Sequence, residues 1–321
     1  MLLLKRQWFV LLSAASAIFS VTAFPTKVLS TEANPGLAGV QQQMNILQAI
    51  FLGFVQGMTE FLPISSSAHL KIVPVALGWG DPGVAFTAII QLGSIVAVLW
   101  YFWDDMTQII KGATKAIAVK DYENLDFQLF VGIALGTIPI LVFGLLIKRF
   151  IPDYDNSPLR SLTAIAIASI FMSLLLGAAE KLGKRQRDFG HLSIKDGLLM
   201  GLAQCLALIP GVSRSGSTIT GGLFMSLERE TAARFSFLLG IPAITLAGLV
   251  ELKDFLEVGV GNVGMVPMVV GTISSGIFSY LAIAGLIQFL KTQSTWVFIW
   301  YRLAFGTAIL GAISAGLLKN S

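Results

Sequence analysis

Residues Gln56–Leu70 read QGMTEFLPISSSAHL: a carboxylate, three successive hydroxyls and one of the chain's two histidines, gathered around Pro63. Apolar residues dominate on both sides, so this polarity interrupts what would otherwise be one long helix. Proline ends helices because it lacks an N–H and clashes with the carbonyl four residues back. Gln56 and Glu60, four apart, share a face of the helix that ends there. Past the break, Ser65 or Ser66 is placed to cap a second helix, on which Ser66 and His69, three apart, share a face.

A second interruption has the same form. Residues 194–227 are apolar but broken at Pro210–Thr218, PGVSRSGST. Ser213 is placed to cap the helix that follows, which puts Arg214 in its first turn. Both broken stretches, 44–78 and 194–227, read as re-entrant hairpins. A broken helix inside a bilayer is tolerated only where the freed backbone is buried in protein or lines a wet cavity.

Composition supplies the bilayer. Of 321 residues, 55% are hydrophobic and only 12% charged, against roughly 25% charged in soluble domains. Six more stretches, 84–102, 128–150, 160–180, 233–251, 265–290 and 295–318, are long enough to span. The expected fold class is an all-α polytopic membrane protein. The net charge of +4 is small and its basic residues sit in loops, so no nucleic-acid partner is expected. Cys205 is the single cysteine, which excludes an internal disulfide and a multi-cysteine metal site. With His69 and His191 the only histidines, and His191 in a charged, solvated loop, a metal here would be a hard, oxygen-bound cation such as Mg²⁺ or Ca²⁺.

Residues 1–43 form an N-terminal extension: a signal-like segment, with Lys5 and Arg6 ahead of an apolar run, then a polar linker. Its layout fits a cleaved signal peptide or a retained anchor. Residues 44–321 are expected to form one membrane-embedded domain.

That domain divides into two similar halves, 44–180 and 194–318. GFVQ (Gly53–Gln56) precedes the first break and GLAQ (Gly201–Gln204) the second; FTAIIQLGSI from Phe86 and FSFLLGIPAI from Phe235 follow at similar spacing. Each half is a hairpin plus three spans, and an odd number of spans inverts the second copy. The two tips then meet near the midplane. Loops bearing Lys111, Lys115, Lys181, Lys184, Arg185 and Arg187 outweigh those bearing Lys148, Arg149 and Arg160. The positive-inside bias therefore makes the KLGKRQR side cytoplasmic and the mature N-terminus external.

Two half-helix N-termini pointing at one place suit an anion, and Arg214 adds a planar fork matched to phosphate oxygens. Burying that arginine at mid-bilayer costs roughly 2.5–3.5 kcal/mol even on lenient scales. The scaffold is duplicated but its reactive groups are not: Glu60 falls opposite Leu208, and Arg214 opposite Ser66 or Ser67. One composite site is expected, with Glu60, Ser66, His69 and Arg214 as its catalytic groups. Gln56, Ser65, Ser67, Ser213, Ser215 and Thr218 form the expected substrate-contacting set; the alternatives are helix packing for Ser65, Ser66, Ser67 and Thr218, a hydrogen-bonding support role for Gln56, a satisfied core place for His69 and a counter-ion to Glu60 for Arg214.

QGMTEFLPISSSAHL and PGVSRSGSTI resemble the two signature motifs of the bacitracin-resistance type of undecaprenyl-diphosphate phosphatase. IIQLGSI, QCLALIPG, FSFLL and YRL fit as well, so the likeness covers roughly residues 44–318. The resemblance implies a bacterial plasma-membrane enzyme built from inverted repeats with re-entrant helices. It would release phosphate from a C55 prenyl diphosphate at a site open to the external face, regenerating the lipid carrier for envelope glycans.

Carried over by position, the family's (E/Q)xxxE pattern falls on Gln56 and Glu60, its serine on Ser66, its histidine on His69, and its second motif on Ser213 and Arg214. Arg214 would hold the diphosphate. Glu60 would ligate a divalent cation, with Gln56 as a neutral oxygen ligand. Ser66 would attack or position water, with His69 as general acid or base. Glutamine at 56 leaves Glu60 as the essential carboxylate. The rival reading is a secondary transporter or lipid flippase, which also uses inverted repeats and a midplane site. Prenyl diphosphate and membrane lipids are the expected partners; a homodimer is compatible with the sequence and not demanded by it.

Overall fold

The computed structural model describes residues 44–320 except 152–153, 155–156 and 259–262; the expected signal-like segment and linker lie outside the described residues. The described residues form eleven α-helices and no strand. Helix α1 (Ile46–Phe61) opens with a capping box, in which the Asn45 side chain accepts from the Gln48 N–H and the Gln48 side chain from the Asn45 N–H. It stops at Leu62–Pro63, and α2 (Ser66–Ala76) follows within five residues. The second broken stretch gives α7 (Ile194–Gln204), a 3₁₀ turn over Cys205–Leu208, and α8 (Arg214–Phe224).

Five helices are long and apolar enough to cross a membrane: α5 (Leu125–Phe150), α6 (Leu162–Leu182), α9 (Arg229–Val258), α10 (Met265–Leu290) and α11 (Trp296–Ser314). A sixth crossing is available from α3 (Val84–Tyr101) and α4 (Trp103–Val119) if that pair, bent by 60°, counts as one. The chain is a multi-pass helical membrane protein.

Helix α4 corrects the sequence reading, which left 103–119 as a basic loop. Ile109, Ala113 and Ala116 recur at helical spacing and are buried, and Asp104 and Asp105 stand in the first turn, where carboxylates favour a helix. Its lysines drew attention to charge and away from that period.

The broken helices are held by close backbone contacts rather than by bulk. Gly53 and Gly57 of α1 lie against Gly271 and Ser275 of α10, so tightly that a methyl group on either glycine would run into a carbonyl oxygen. Gly197 and Gly201 of α7 meet Gly132 and Gly136 of α5 in the same manner. Small residues at four-residue spacing let membrane helices pack by van der Waals contact where lipid offers no hydrophobic drive. Each broken stretch therefore packs on a long helix from the other half of the sequence. Between these seams lies an apolar core that includes Phe61, Phe102, Phe235 and Phe237, with Phe61 edge-on to Phe237 at 5.4 Å.

Arg302 of α11 ties the breaks together. Its side chain is buried (1% exposed), and it donates to Pro63 O at 3.0 Å, Gly211 O at 2.8 Å and Ser169 O at 3.3 Å. Two of those carbonyls belong to the two breaks, where helix termination leaves them without intrahelical donors. At the end of α6, buried Glu180 gathers Arg185, Arg229 and Thr295 in a polar cluster that fixes α6, α9 and α11 together.

Candidate functional site

The two breaks adopt one conformation. Ser65 has φ 76° and ψ 100°, and Ser213 has φ 74° and ψ 120°, both in a region that favours glycine. Each serine ends its break and starts a helix, and each pairs its hydroxyl with that of the serine two residues on: Ser65 with Ser67 at 3.1 Å, Ser213 with Ser215 at 3.2 Å. Ser213 caps α8 as expected, accepting from Gly216 N at 3.1 Å. Ser65 makes no side-chain cap. Strain of this kind costs about 1–3 kcal/mol per residue and persists where the surroundings over-determine it.

Between the breaks lies a cavity of about 220 Å³. Its polar wall is Glu60, Ser65, Ser66, Ser67, Gln91, Ser213 and Arg214; Ile140, Ala207, Ala243, Ile244 and Ala247 form the apolar side. The first turns of α2 and α8 thus border the same space with their positive dipole ends.

Arg214 is nine-tenths buried beside this cavity, and none of its three guanidinium nitrogens has a hydrogen-bond partner. Its nearest counter-charge is Glu60, Nη2 to Oε1 at 3.7 Å, which is an ion pair too long for a hydrogen bond. The centre of the Phe61 ring lies 5.9 Å from the guanidinium carbon. Gly240 makes room for it, because a side chain there would occupy the guanidinium's place. A buried guanidinium without acceptors is expensive, and the arrangement suits an anion that brings its own oxygens.

Glu60 divides its two oxygens. Oε2 accepts from Ser66 Oγ at 2.7 Å and from Gln56 Nε2 at 3.2 Å, while Oε1 faces Arg214. Gln56 also donates to Ser94 Oγ at 3.4 Å. Ser94 accepts from Ser279 at 2.8 Å and pairs with Ser275 at 3.0 Å. A hydroxyl has one proton and two acceptor sites, so Ser94, accepting twice, donates to Ser275. This fully buried network, with Gln56, Ser94, Ser275 and Ser279 each no more than 1% exposed, keeps the Gln56 N–H aimed at Glu60.

The expected site residues therefore divide. Glu60, Ser65, Ser66, Ser67, Ser213 and Arg214 line the cavity. Gln56 lies behind Glu60 and presents its N–H to that carboxylate, which matches its hydrogen-bonding support alternative. Ser215 reaches back to Leu62 O at 3.1 Å and fastens one break to the other. Thr218 is fully buried and pairs with Ser236 of α9, which matches its helix-packing alternative. His69 and Ser66 do not face the same way, contrary to the three-residue spacing. Ser66 turns to Glu60, while the fully buried His69 turns to Ser65 O and Tyr301.

Sequence reasoning missed Gln91, Tyr301 and Arg302. All three stand in segments already noted, IIQLGSI and YRL. The mid-span cost that singled out Arg214 applies equally to Arg302 and would have found it.

Fold and site define a multi-pass helical membrane protein with a buried polar pocket, in which an arginine faces a carboxylate–serine pair where two broken helices meet. The chain belongs to the family described as bacitracin resistance protein BacA, whose model matches residues 49–308. Among curated relatives, an undecaprenyl-diphosphatase of a Nostoc species is 75% identical over the whole of both chains. One of Trichodesmium erythraeum is 65% identical over 87% of this chain and 90% of its own. One of Gloeobacter violaceus is 53% identical over 88% of this chain and 96% of its own.

Proposed function

We propose that this protein hydrolyses undecaprenyl diphosphate to undecaprenyl phosphate and inorganic phosphate in the bacterial plasma membrane, recycling the lipid carrier for cell-wall glycans and conferring bacitracin resistance. The observation that carries the reading is Arg214: a buried guanidinium with no hydrogen-bonded acceptor, opening on a pocket bordered by two helix N-termini. The names of the relatives agree with it.

Two inverted repeats account for the architecture. Under that symmetry α1 and α7 exchange places, as do α10 and α5, which explains why both glycine seams cross between the halves. The matched conformations of Ser65 and Ser213 have the same origin. The hairpins enter from opposite faces, with the excess of lysine and arginine on the cytoplasmic side and the pocket open to the external face.

In this mechanism Arg214 and the first-turn N–H groups of α2 and α8 hold the diphosphate and stabilise charge on the transferring phosphoryl. The 2.7 Å hydrogen bond makes Glu60 the base for Ser66. Ser66 Oγ forms a bond to the terminal phosphorus as the bond to the bridging oxygen breaks, and its proton passes to Glu60. Undecaprenyl phosphate leaves on the bridging oxygen. Glu60 gives that proton up to the departing phosphate; water then attacks the phosphoserine, and its proton passes through Glu60 to Ser66 Oγ as the bond between phosphorus and that oxygen breaks and inorganic phosphate leaves. The prenyl chain lies along the apolar side, past Ile140, Ala243, Ile244 and Ala247.

The pocket's donors are all oxygens, from Glu60, Ser66 and Gln91, and no group of three His, Cys, Asp or Glu residues that could hold a metal occurs among the described residues. That set fits a hard divalent cation, Mg²⁺ or Ca²⁺, which these residues would hold. When bound, such an ion neutralises charge on the diphosphate.

The deciding experiment is phosphate release from undecaprenyl diphosphate by purified protein in detergent with Mg²⁺ or Ca²⁺. Release that disappears in Arg214→Ala is expected. Absence of release, with lipid accumulating across sealed vesicles instead, overturns the reading in favour of transport.

A further inference from the structure

His69 is fully buried, stands in the first break's second helix, and has no part in the proton transfers just described. We infer that His69, oriented by Tyr301, is a positioning residue: it holds the carbonyl of the strained Ser65 and so fixes where Ser66 stands. The inference deepens the phosphatase reading and rests on it for its kinetic test.

The hydrogen bonds define the ring's protonation. Nδ1 lies 2.7 Å from Ser65 O, and a carbonyl can only accept, so Nδ1 carries a proton and donates. Nε2 lies 2.6 Å from the Tyr301 hydroxyl, which donates to the remaining lone pair. Rotation is blocked by stacking: the Phe305 ring is 4.3 Å away and within 8° of parallel, and Tyr301 lies 5.6 Å away at 10°. With both nitrogens engaged and Ser66 bonded to Glu60, the imidazole has no lone pair or proton turned to the pocket.

A comparison within the molecule says what the clamp is for. Ser65 and Ser213 hold the same positive-φ conformation, but by different means. At the second break the Ser213 side chain caps its own helix through Gly216 N. At the first break Ser65 has no such cap. There the backbone bond from the His69 N–H to Ser65 O is long, 3.4 Å against 2.9 Å from the Ser217 N–H to Ser213 O, and the His69 Nδ1–H gives the Ser65 carbonyl a second, shorter donor; no histidine follows the second break. The first break carries the Ser66 hydroxyl, whose 2.7 Å approach to Glu60 depends on the residue before it.

Asparagine can place an amide N–H where Nδ1–H stands, yet it cannot transfer a proton at neutral pH. His69→Asn is therefore expected to keep kcat within about tenfold of the parent. His69→Ala is expected to lose about 10²-fold in kcat with little change in KM, the usual penalty for a misplaced reacting group. Tyr301→Phe falls between them. All three keep the limbs of the parent's kcat/KM pH profile. Equal losses in His69→Asn and His69→Ala, or a limb that vanishes in His69→Asn, overturn the inference.

A second measurement does not depend on turnover. The chain has two histidines, so ¹⁵N-histidine spectra of the detergent-solubilised protein, with His191→Gln for assignment, report His69 directly. A neutral Nδ1–H tautomer at pH 7 is expected, and an Nε2–H tautomer or an imidazolium overturns the clamp. If the parent protein releases no phosphate, the phosphatase reading fails while this spectrum still judges the clamp.

Discussion

Ser66 and Glu60 stand on opposite sides of the break at Pro63 and are joined by one hydrogen bond, Ser66 Oγ to Glu60 Oε2 at 2.7 Å. The break is what allows it. In an unbroken helix residues six apart point to different faces, so these two side chains could not meet.

The proposed mechanism has the two act as one unit, so their losses should not add. Ser66→Ala and Glu60→Gln are each expected to lower kcat by about 10³-fold or more, and the double variant to be no worse than either. Phosphate release under single-turnover conditions measures this. Ser66 is half-buried with room around it, so Ser66→Ala should leave the thermal midpoint within a few degrees of the parent.

Gly240→Ala tests the space reserved for Arg214. The added methyl falls on the guanidinium, so the fork must shift, and a fall of about 10²-fold in kcat/KM is expected. Gly311→Ala, whose methyl meets nothing within 4 Å, is the control and should leave turnover unchanged.

Ser94→Ala removes the hub that orients Gln56. It leaves the Gln56 amide and the Ser279 hydroxyl short of a buried partner, at a cost of about 1–3 kcal/mol in stability. Thermal unfolding in detergent should show that loss together with reduced turnover, since Gln56 no longer has its N–H held toward Glu60.

Arg302→Met should behave differently from Ser66→Ala. It strands the Pro63 and Gly211 carbonyls and unfastens the breaks, so stability and activity are expected to fall together. A parent-like thermal midpoint in Arg302→Met would show that the breaks are held by other contacts.

Chelation should stop phosphate release, with Mg²⁺ or Ca²⁺ restoring it and Zn²⁺ failing to. The pocket offers oxygen donors and neither a histidine nor a cysteine.

Much of the fold was legible because the bilayer makes composition and length decisive. Apolar stretches of spanning length and two proline breaks located the long helices and the broken ones. Helix α4 was not legible as a helix, because its buried Ile109–Ala113–Ala116 stripe is short and set among lysines. Of the site, Glu60, Ser66 and Arg214 could be named in advance, since a carboxylate and an arginine among apolar residues demand an explanation. His69 could be named but not placed. Helical spacing put it beside Ser66, yet α2 begins at Ser66 itself, and the first turn and the packing of α11 turned the ring toward Tyr301 and Phe305.

Hydropathy and proline act locally and need no partner, so a helical membrane protein interrupted at two polar breaks could be read from the residues alone. That Arg302 binds both breaks, that Ser94 orients Gln56 and that Gly240 clears a place for Arg214 emerge with the folded chain. Those relations join residues far apart in the chain. They come from glycine-lined helix seams, where close backbone approach, and not any local preference, sets which side chains meet.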